Sequence, residues 1–323
     1  MLTPYVLALL AIILAWPVPL WLQHAKWPAR APGAALILWQ AIGISGGLAL
    51  VTAPLTWGLQ PFGSGIFTAG AELWRTFNTQ GFHALVYDTR WAPLDLAAVT
   101  LGCILFGHLA LVLLHTTHLT FSQRKRHREF VEVLAASLHD GAYGLATPFD
   151  GPVSTRVLPV EHPLAYCLPA INSPITVVST GLLNQLSSKQ LAAVLAHESA
   201  HLRQRHDLLR LAFQAWHKAA PWLPATGTAV HEVTELTEIM ADNVALSQHA
   251  HQDLAAALAH TIDASAQQNF DAPDAISQLD PTIATRRVRR LTESMQPLSS
   301  CRVSLVIIAA GLLVLVPAVI SLI

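Results

Sequence analysis

The chain has 323 residues, of which 53% are hydrophobic and 12% are charged. Soluble domains carry about 25% charged residues, so this composition excludes a disordered protein and argues against a chain that folds entirely in water. The 19 basic and 20 acidic side chains leave a formal net charge of −1, which argues against direct binding to nucleic acid. The 3 cysteines are far apart, which argues against a disulfide framework or a thiolate zinc site. The 16 histidines are numerous for this length, and histidine is the commonest metal ligand.

Four apolar stretches are long enough to cross a membrane, which takes about 20 residues. They lie at about 4–22, 34–57, 94–114 and 303–323. The first has no basic residue ahead of its apolar run and no small-residue cleavage site, so we expect a retained helix and not a signal peptide. The sequence thus predicts a membrane region over 1–118 with three spans, a fourth span at the C-terminal end, and the lipid bilayer as a partner.

Basic residues near the ends of the spans predict the orientation of the chain. Lys and Arg cluster at 124–128, after the third span, and at 286–290, before the fourth. The segment 119–302 is therefore expected in the cytoplasm, with the N-terminus and the loop 58–91 outside. That loop is rich in aromatic residues, which favours either anchoring in the outer membrane interface or a role in sensing.

The segment 119–302 is polar enough to fold in water and mixes the patterns of strands and helices. It predicts an α+β domain with a small β-sheet, within a mainly α membrane protein. The predicted strands are at 155–160, 164–170 and 174–183, with a turn at Asn172 and Ser173, and the predicted helices are at 127–138, 187–216, 229–249 and 251–269.

The strongest helix signal begins at Ser187, which can cap a helix with Gln190 three residues later in the capping-box pattern. No Gly or Pro occurs from Ser187 to Trp216, so the sequence predicts one unbroken helix. This helix carries the motif HESAH. Two histidines at i and i+4 lie on one face of a helix and can bind one metal ion, and the glutamate beside the first can serve as a general base.

A catalytic zinc ion needs a third protein ligand, and the next predicted helix offers Glu232, Glu235 and Glu238. Glu238 is the best candidate, because Asp242 follows one turn later on the same face and can hydrogen-bond the far nitrogen of a ligating histidine. Glu232 and Glu235 are interpreted as members of a solvated helix face.

HESAH followed by RQRHD, and EIMAD on a later helix, resemble the motifs of the BlaR/MecR-type membrane metallopeptidases, which are zincins of the HExxH plus ExxxD kind. The pieces AYCLPA and ITVVSTGLLNQLSSKQLAAVLAHE also match, as does the order of three spans before the peptidase and one after. The resemblance implies that His197, His201 and Glu238 bind Zn²⁺, that Glu198 is the general base, and that Asp242 supports a ligand.

The resemblance also implies the substrate, which would be a cytoplasmic repressor, such as a winged-helix protein, or the enzyme itself. Three candidates for the donor that stabilises the oxyanion stay open: His206, His231 and an arginine of the 286–290 cluster. We expect the substrate to dock along the edge of the ITVVS strand.

Sensor members of that family continue into an extracellular penicillin-binding domain, whereas this sequence ends at Ile323. The SxxK spacing at Ser122 to Lys125 has no SDN or KTG partner and is interpreted as a chance match, so direct β-lactam sensing is not expected. Gly43 and Gly47 form a GxxxG spacing, which favours either packing within the chain or a homodimer.

Two other functions remain compatible with the sequence. An HtpX- or CAAX-type peptidase, which degrades or processes membrane proteins, would share HExxH and the ExxxD helix. In the non-enzymatic alternative, zinc only holds the cytoplasmic domain together and the chain is a scaffold. A structural zinc site usually has a fourth protein ligand, and no cysteine is placed to supply it.

Overall fold

The computed structural model describes residues 2–134, 136–137, 154–170, 174–267, 281–292 and 296–322. The turn predicted at Asn172 and Ser173 lies outside these residues. The chain divides into two compact units. The first comprises 1–116, 212–233 and 298–323, and the second comprises 117–211 and 234–297.

Four described helical stretches are long and apolar enough to cross a membrane, as the sequence predicts; the third begins in the first unit and ends in the second. They are Thr3–Leu22, Pro32–Gly58, Pro93–Leu134 and Ser300–Leu322. The first is broken into α1 (Thr3–Ala15) and α2 (Pro17–Leu22), because Pro17 cannot donate the backbone hydrogen bond that would continue α1. A 3₁₀ turn, Pro28–Arg30, precedes α3 (Pro32–Gly58).

Helix α3 packs against α1 and against α12 (Ser300–Leu322). Small residues of α3 meet leucine side chains of α1 in one buried cluster, and the Ser45 hydroxyl donates to the Leu313 carbonyl oxygen of α12 at 2.7 Å. Gly43 of the GxxxG spacing lies in van der Waals range of Phe213 and Trp216 of the same chain. This contact accords with packing within the chain for that glycine, and dimerisation stays a prediction.

The loop predicted between the second and third spans contains a helix of its own. After a 3₁₀ turn, Gln60–Phe62, helix α4 runs over Ile66–Val86. It bends at Gly81, whose φ of 81° lies in the left-handed region that glycine adopts without steric cost. Phe67 and Trp74 of α4 are exposed.

Helix α5 spans Pro93–Leu134 and continues well past the predicted third span. The helix predicted at 127–138 is present over 127–134 as the last part of α5, but its predicted end was wrong, because Ala136–Ser137 form strand β1. No proline follows Pro93 within the helix, so nothing in the backbone interrupts the hydrogen-bond ladder where the sequence changes from apolar to basic.

The second unit contains a small mixed sheet, which confirms a modest β component in a mostly helical chain. Its order is β1-β2-β4-β3, with β2 parallel and β3 antiparallel to β4. The strands are β1 (Ala136–Ser137), β2 (Ser154–Leu158), β3 (Ala165–Leu168) and β4 (Ile175–Ser179).

Two expectations for this sheet were wrong. The strand predicted over 174–183 ends at Ser179, whose hydroxyl accepts a hydrogen bond from the Leu182 amide and caps helix α6 (Thr180–Gln185). Strand β4 also lies between β2 and β3, so it has no free edge for a substrate. Among the described strands, β3 lies at the edge on that side of the sheet.

Helix α7 (Ser188–Arg203) begins with the predicted capping box. The Gln190 side chain accepts from the Ser187 amide at 2.8 Å, and the Ser187 hydroxyl accepts in return from the Gln190 amide. The single long helix predicted beyond this point was wrong, because Arg205 has a φ of 52° and separates α7 from α8 (His206–Ala219). A residue in the left-handed conformation ends an α-helix. Here that residue is an arginine and not a glycine, so the sequence does not predict the end of the helix.

The remaining helices are α9 (Pro224–Leu246), α10 (His251–Gln267) and α11 (Pro281–Thr292). Helix α9 begins five residues earlier than predicted, with Pro224 at its first position, where a missing N–H costs nothing. Apolar side chains of α7, α9, α10 and α11 form one buried cluster around Ala193, Ala245 and Leu258. This cluster holds in place the two helices that carry the predicted ligands.

Candidate metal centre

Helices α7 and α9 bring together the three side chains predicted to bind zinc. Nε2 of His197 lies 3.1 Å from Nε2 of His201. Oε2 of Glu238 lies 3.4 Å from the first of these nitrogens, and Oε1 lies 3.5 Å from the second. His197 and Glu238 are buried and His201 is half-buried. One ligand atom from each residue thus lies within 4.8 Å of the other two, although 37 to 41 residues separate Glu238 from the histidines in the sequence.

The donor set and its spacing fit a zinc ion. With zinc–ligand distances of about 2.0–2.2 Å in a tetrahedral arrangement, neighbouring ligand atoms lie about 3.3 Å apart. The observed separations of 3.1 to 3.5 Å bracket that value. Two imidazoles and one carboxylate are also the combination found in many catalytic zinc sites, which keep a fourth position open.

Asp242 lies one turn after Glu238 on α9, and its Oδ1 is 2.9 Å from Nδ1 of His197. The two groups lie at ion-pair distance, although the geometry is not that of a hydrogen bond. Burial alone would lower the pKa of His197, whereas the contacts with Asp242 and Glu238 raise that pKa to about 9. Burial opposes ionisation of Asp242, but Arg287 and His197 lower the pKa of its carboxyl to about 2.

His206 is only 1% exposed and lies at the first position of α8. Its Nδ1 is 2.9 Å from Nδ1 of His201, and its Nε2 is 3.0 Å from Oε1 of Gln204. Burial, followed by the charge of Arg210, lowers the pKa of His206 to about 4. Because both ring nitrogens have partners, His206 has no N–H left for an oxyanion, which speaks against the donor role considered from the sequence.

Glu198 follows the first histidine and lies beside strand β3. The Cys167 thiol of β3 donates to the Glu198 carbonyl oxygen at 3.1 Å. Burial raises the pKa of the Glu198 carboxyl to about 7; His197 opposes this rise and Glu238 adds to it. A carboxyl with a pKa near neutrality can both accept and return a proton at physiological pH.

Two arginines hold Glu238: Arg210, which the sequence did not indicate, and Arg287, a member of the cluster considered from the sequence as an oxyanion donor. Nη2 of Arg210 is 2.6 Å from Oε1 of Glu238, and Nη1 of Arg287 is 2.6 Å from Oε2. Arg287 also donates to both oxygens of Asp242, at 2.7 and 2.9 Å. Burial opposes the charge of Glu238, but Arg287, His201 and Arg210 hold its pKa well below the usual range.

A signal for Arg287 is present in the sequence. Helix α11 buries Ile283, Ala284 and Leu291, and Arg287 occupies the middle of that apolar stripe. An arginine among core positions needs a buried anionic partner. The charge of Arg287 is neutralised inside the second unit, and Arg286 pairs with Glu235 at 2.6 Å. The basic cluster 286–290 is therefore a weaker signal for the orientation of the chain in the membrane than its sequence suggests.

The other predicted candidates lie elsewhere. His231 and Glu232 belong to the first unit, whereas the metal centre lies in the second. The interpretation of Glu232 and Glu235 as solvated was wrong, because Glu232 is 9% exposed and Glu235 is paired with Arg286.

A family comparison covers the region that contains this centre. Residues 132–272 match the family model described as Peptidase family M48. No curated protein matches the chain. Peptidases of the M48 family are metal-dependent hydrolases that usually use zinc. The match supports this class but not the BlaR/MecR-type subfamily in particular. Together with four helices long enough to span a bilayer, it supports a multi-pass membrane metallopeptidase of the M48 type.

Proposed function

We propose that this protein is an integral-membrane zinc endopeptidase in which His197, His201 and Glu238 bind the metal. Glu198 is the general base, and Asp242 orients His197. The convergence of one ligand atom from each of these three residues within 4.8 Å of one another is the observation that carries the proposal. The match of the surrounding residues to a metallopeptidase family supports it.

Zinc at this site would supply Lewis acidity, which polarises a scissile carbonyl and makes water more acidic. Glu198 takes the proton of the attacking water and delivers it to the leaving amine. Its buried carboxyl, with a pKa of about 7 in the metal-free site, suits both steps. Asp242 favours the tautomer of His197 that carries the proton on Nδ1, which leaves Nε2 free to bind metal.

Strand β3, which is at one edge of the sheet among the described strands, is the proposed docking strand for a peptide substrate. An extended peptide can add to an exposed strand edge through main-chain hydrogen bonds. The contact between the Cys167 thiol and the Glu198 carbonyl oxygen supports this proposal, because it joins β3 to the residue proposed as the general base. A peptide bound along β3 would therefore pass the candidate metal centre.

The proposed substrate is a cytoplasmic protein, such as a winged-helix repressor, or the enzyme itself, cleaved in response to a signal. The resemblance of HESAH, RQRHD and EIMAD to BlaR/MecR-type enzymes supports this substrate class. A second candidate is an HtpX- or CAAX-type role in quality control or processing of membrane proteins. The M48 match favours it as much as the first, because the match concerns the peptidase segment and not its regulation.

Comparative proteomics of cells carrying the wild-type chain or Glu198→Gln tests the proposal. Glu129→Gln is the matched control, because Glu129 is an exposed glutamate of α5 that forms only a long ion pair. Loss of one soluble substrate's fragments in Glu198→Gln alone would support signalling, and accumulation of many membrane proteins would support quality control. No difference between the two variants would leave only the scaffold alternative.

The orientation of the chain is tested separately with single cysteines in a background without the native ones. Gln60 and Gln248 are both exposed. We expect a membrane-impermeant thiol reagent to label a cysteine at 60 but not at 248 in intact cells. The reverse pattern would place the catalytic unit outside the cell.

A further inference from the structure

The two candidate histidine ligands differ in what holds the ring nitrogen that faces away from the metal. Nδ1 of His197 lies beside a carboxylate, as in many zinc sites. Nδ1 of His201 instead lies 2.9 Å from another imidazole nitrogen, Nδ1 of His206. A neutral imidazole carries one N–H. Nε2 of His201 can bind a cation only if the proton of that ring is on Nδ1.

The contact of Gln204 with His206 favours one sharing of the protons. Its Oε1 lies 3.0 Å from Nε2 of His206, and a carbonyl oxygen can only accept. Nε2 of His206 must therefore carry the proton, which leaves its Nδ1 as an acceptor. Nδ1 of His201 must then donate, and Nε2 of His201 keeps its lone pair. If His206 instead carried its proton on Nδ1, the lone pair of its Nε2 would face the lone pairs of Oε1 of Gln204.

The backbone is shaped to bring these rings together. Between Gln204 and His206, Arg205 adopts a φ of 52°, a left-handed conformation that is strained for a residue other than glycine. This turn ends α7 and starts α8, so that the His206 ring stacks edge-on against His201 with their centroids 4.8 Å apart. In the continuous helix predicted from the sequence, residues five apart would not share a face.

We propose that His206, oriented by Gln204, is a positioning residue that holds His201 in the tautomer that binds zinc. The inference rests on the proposed function, because it concerns how one of the proposed ligands is prepared. It assigns His206 a role different from donation to the oxyanion. Nothing in this arrangement requires His206 to touch the substrate.

Zinc affinity of the purified full-length protein, measured by competition with a chelator in detergent, tests the inference. His206→Phe fills the buried volume but offers no acceptor, and we expect a ten- to hundredfold weaker zinc affinity, as for other groups that support metal ligands. His206→Asn restores an acceptor oxygen close to the position of Nδ1 and should recover most of that loss. His217→Phe removes another histidine of α8, which pairs with Thr226, and should leave zinc affinity unchanged.

A second pair of variants keeps the test decisive if His206→Phe does not fold. Gln204→Met removes the acceptor oxygen without a large change in shape, and Gln204→Glu keeps an acceptor. We expect Gln204→Met to weaken zinc binding by a smaller factor than His206→Phe, and Gln204→Glu to bind zinc at least as tightly as the wild type. Equal affinities for these two Gln204 variants would overturn the inference, as would equal losses in His206→Phe and His206→Asn.

His201→Ala separates this inference from the proposed function. If it loses zinc while His206→Phe binds as the wild type does, the ligand set stands and only the role of His206 is refuted. If His201→Ala keeps full affinity, His201 is not a ligand, and both proposals fail.

Discussion

Arg287 and Glu238 form a buried ion pair, with Nη1 of the arginine 2.6 Å from Oε2 of the glutamate. The same guanidinium group binds both oxygens of Asp242. One cation from helix α11 therefore contacts two carboxylates of α9, one proposed to bind zinc and the other to orient a ligand. In the metal-free site, the pairing with Arg287 stabilises the buried negative charges of Glu238 and Asp242.

Arg287→Met should destabilise the metal-free protein strongly, because it leaves two buried carboxylates short of their partner. Removing one member of a buried ion pair costs about 3–5 kcal/mol. Arg286→Met is the matched control, since Arg286 is 55% exposed and pairs with the single carboxylate of Glu235 among the described residues; its loss should cost about 1 kcal/mol or less. Thermal unfolding in detergent with a chelator measures both, and similar melting temperatures would contradict the expectation.

Zinc should bind more tightly as the pH rises from 7 to 9. The pKa of His197 is about 9 in the metal-free site, so the ring is protonated at neutral pH and must lose a proton to bind metal. Competition titrations at several pH values should show about a tenfold gain in affinity per pH unit, levelling off above pH 9.

Asp242→Asn is the control for this pH dependence. The change removes a charge that raises the pKa of His197, so the variant should show a weaker dependence on pH. Its zinc affinity at pH 9 should nevertheless be about ten- to a hundredfold lower than that of the wild type, because the ring has lost its carboxylate partner. A wild-type affinity that does not change with pH would show that His197 is neutral before zinc binds.

Glu198→Gln should stabilise the metal-free protein at neutral and higher pH. The pKa of Glu198 is raised from 4.5 to about 7 in the folded state, so the folded state holds this proton more tightly than the unfolded one. Stability is therefore lost as the pH rises from about 4.5 to 7, and a neutral amide avoids that loss. We expect a gain of about 1–3 kcal/mol at pH 8 and none at pH 4.

The control for this measurement is Glu129→Gln, which changes the same groups at an exposed position of α5. Its effect should be small and nearly independent of pH. If Glu198→Gln has the same stability as the wild type at pH 8, the Glu198 carboxyl is better solvated than its burial implies.

Arg205→Gly should be tolerated, because glycine adopts a positive φ without steric cost. We expect the free energy of unfolding to rise by between about 0 and 1 kcal/mol. Relief of the backbone strain stabilises the folded state, whereas the greater entropy of the unfolded chain opposes this gain. Arg203→Gly, at the exposed last residue of α7, should instead cost about 1 kcal/mol. Denaturant or thermal unfolding of both variants compares them, and an equal loss in each would show that Arg205 is not strained.

Local patterns in the sequence were sufficient for the features that depend on neighbouring residues. Apolar length predicts the four long helices, because a bilayer sets that length. The Ser187 and Gln190 pair predicts the start of α7, and the i, i+4 spacing places His197 and His201 on one face of it. The same spacing places Glu238 and Asp242 one turn apart on α9.

Contacts between distant segments were decided only by the tertiary structure. Arg287 lies 45 residues beyond Asp242, and no local rule pairs a particular arginine of a basic cluster with a particular carboxylate. The position of β4 between β2 and β3 depends on pairing across the sheet, so the free edge could not be read from the strand itself. The helix break at Arg205 contains no glycine or proline that would predict it from the sequence. Contacts of the folded chain, and not a local preference, compensate for the backbone strain at this residue.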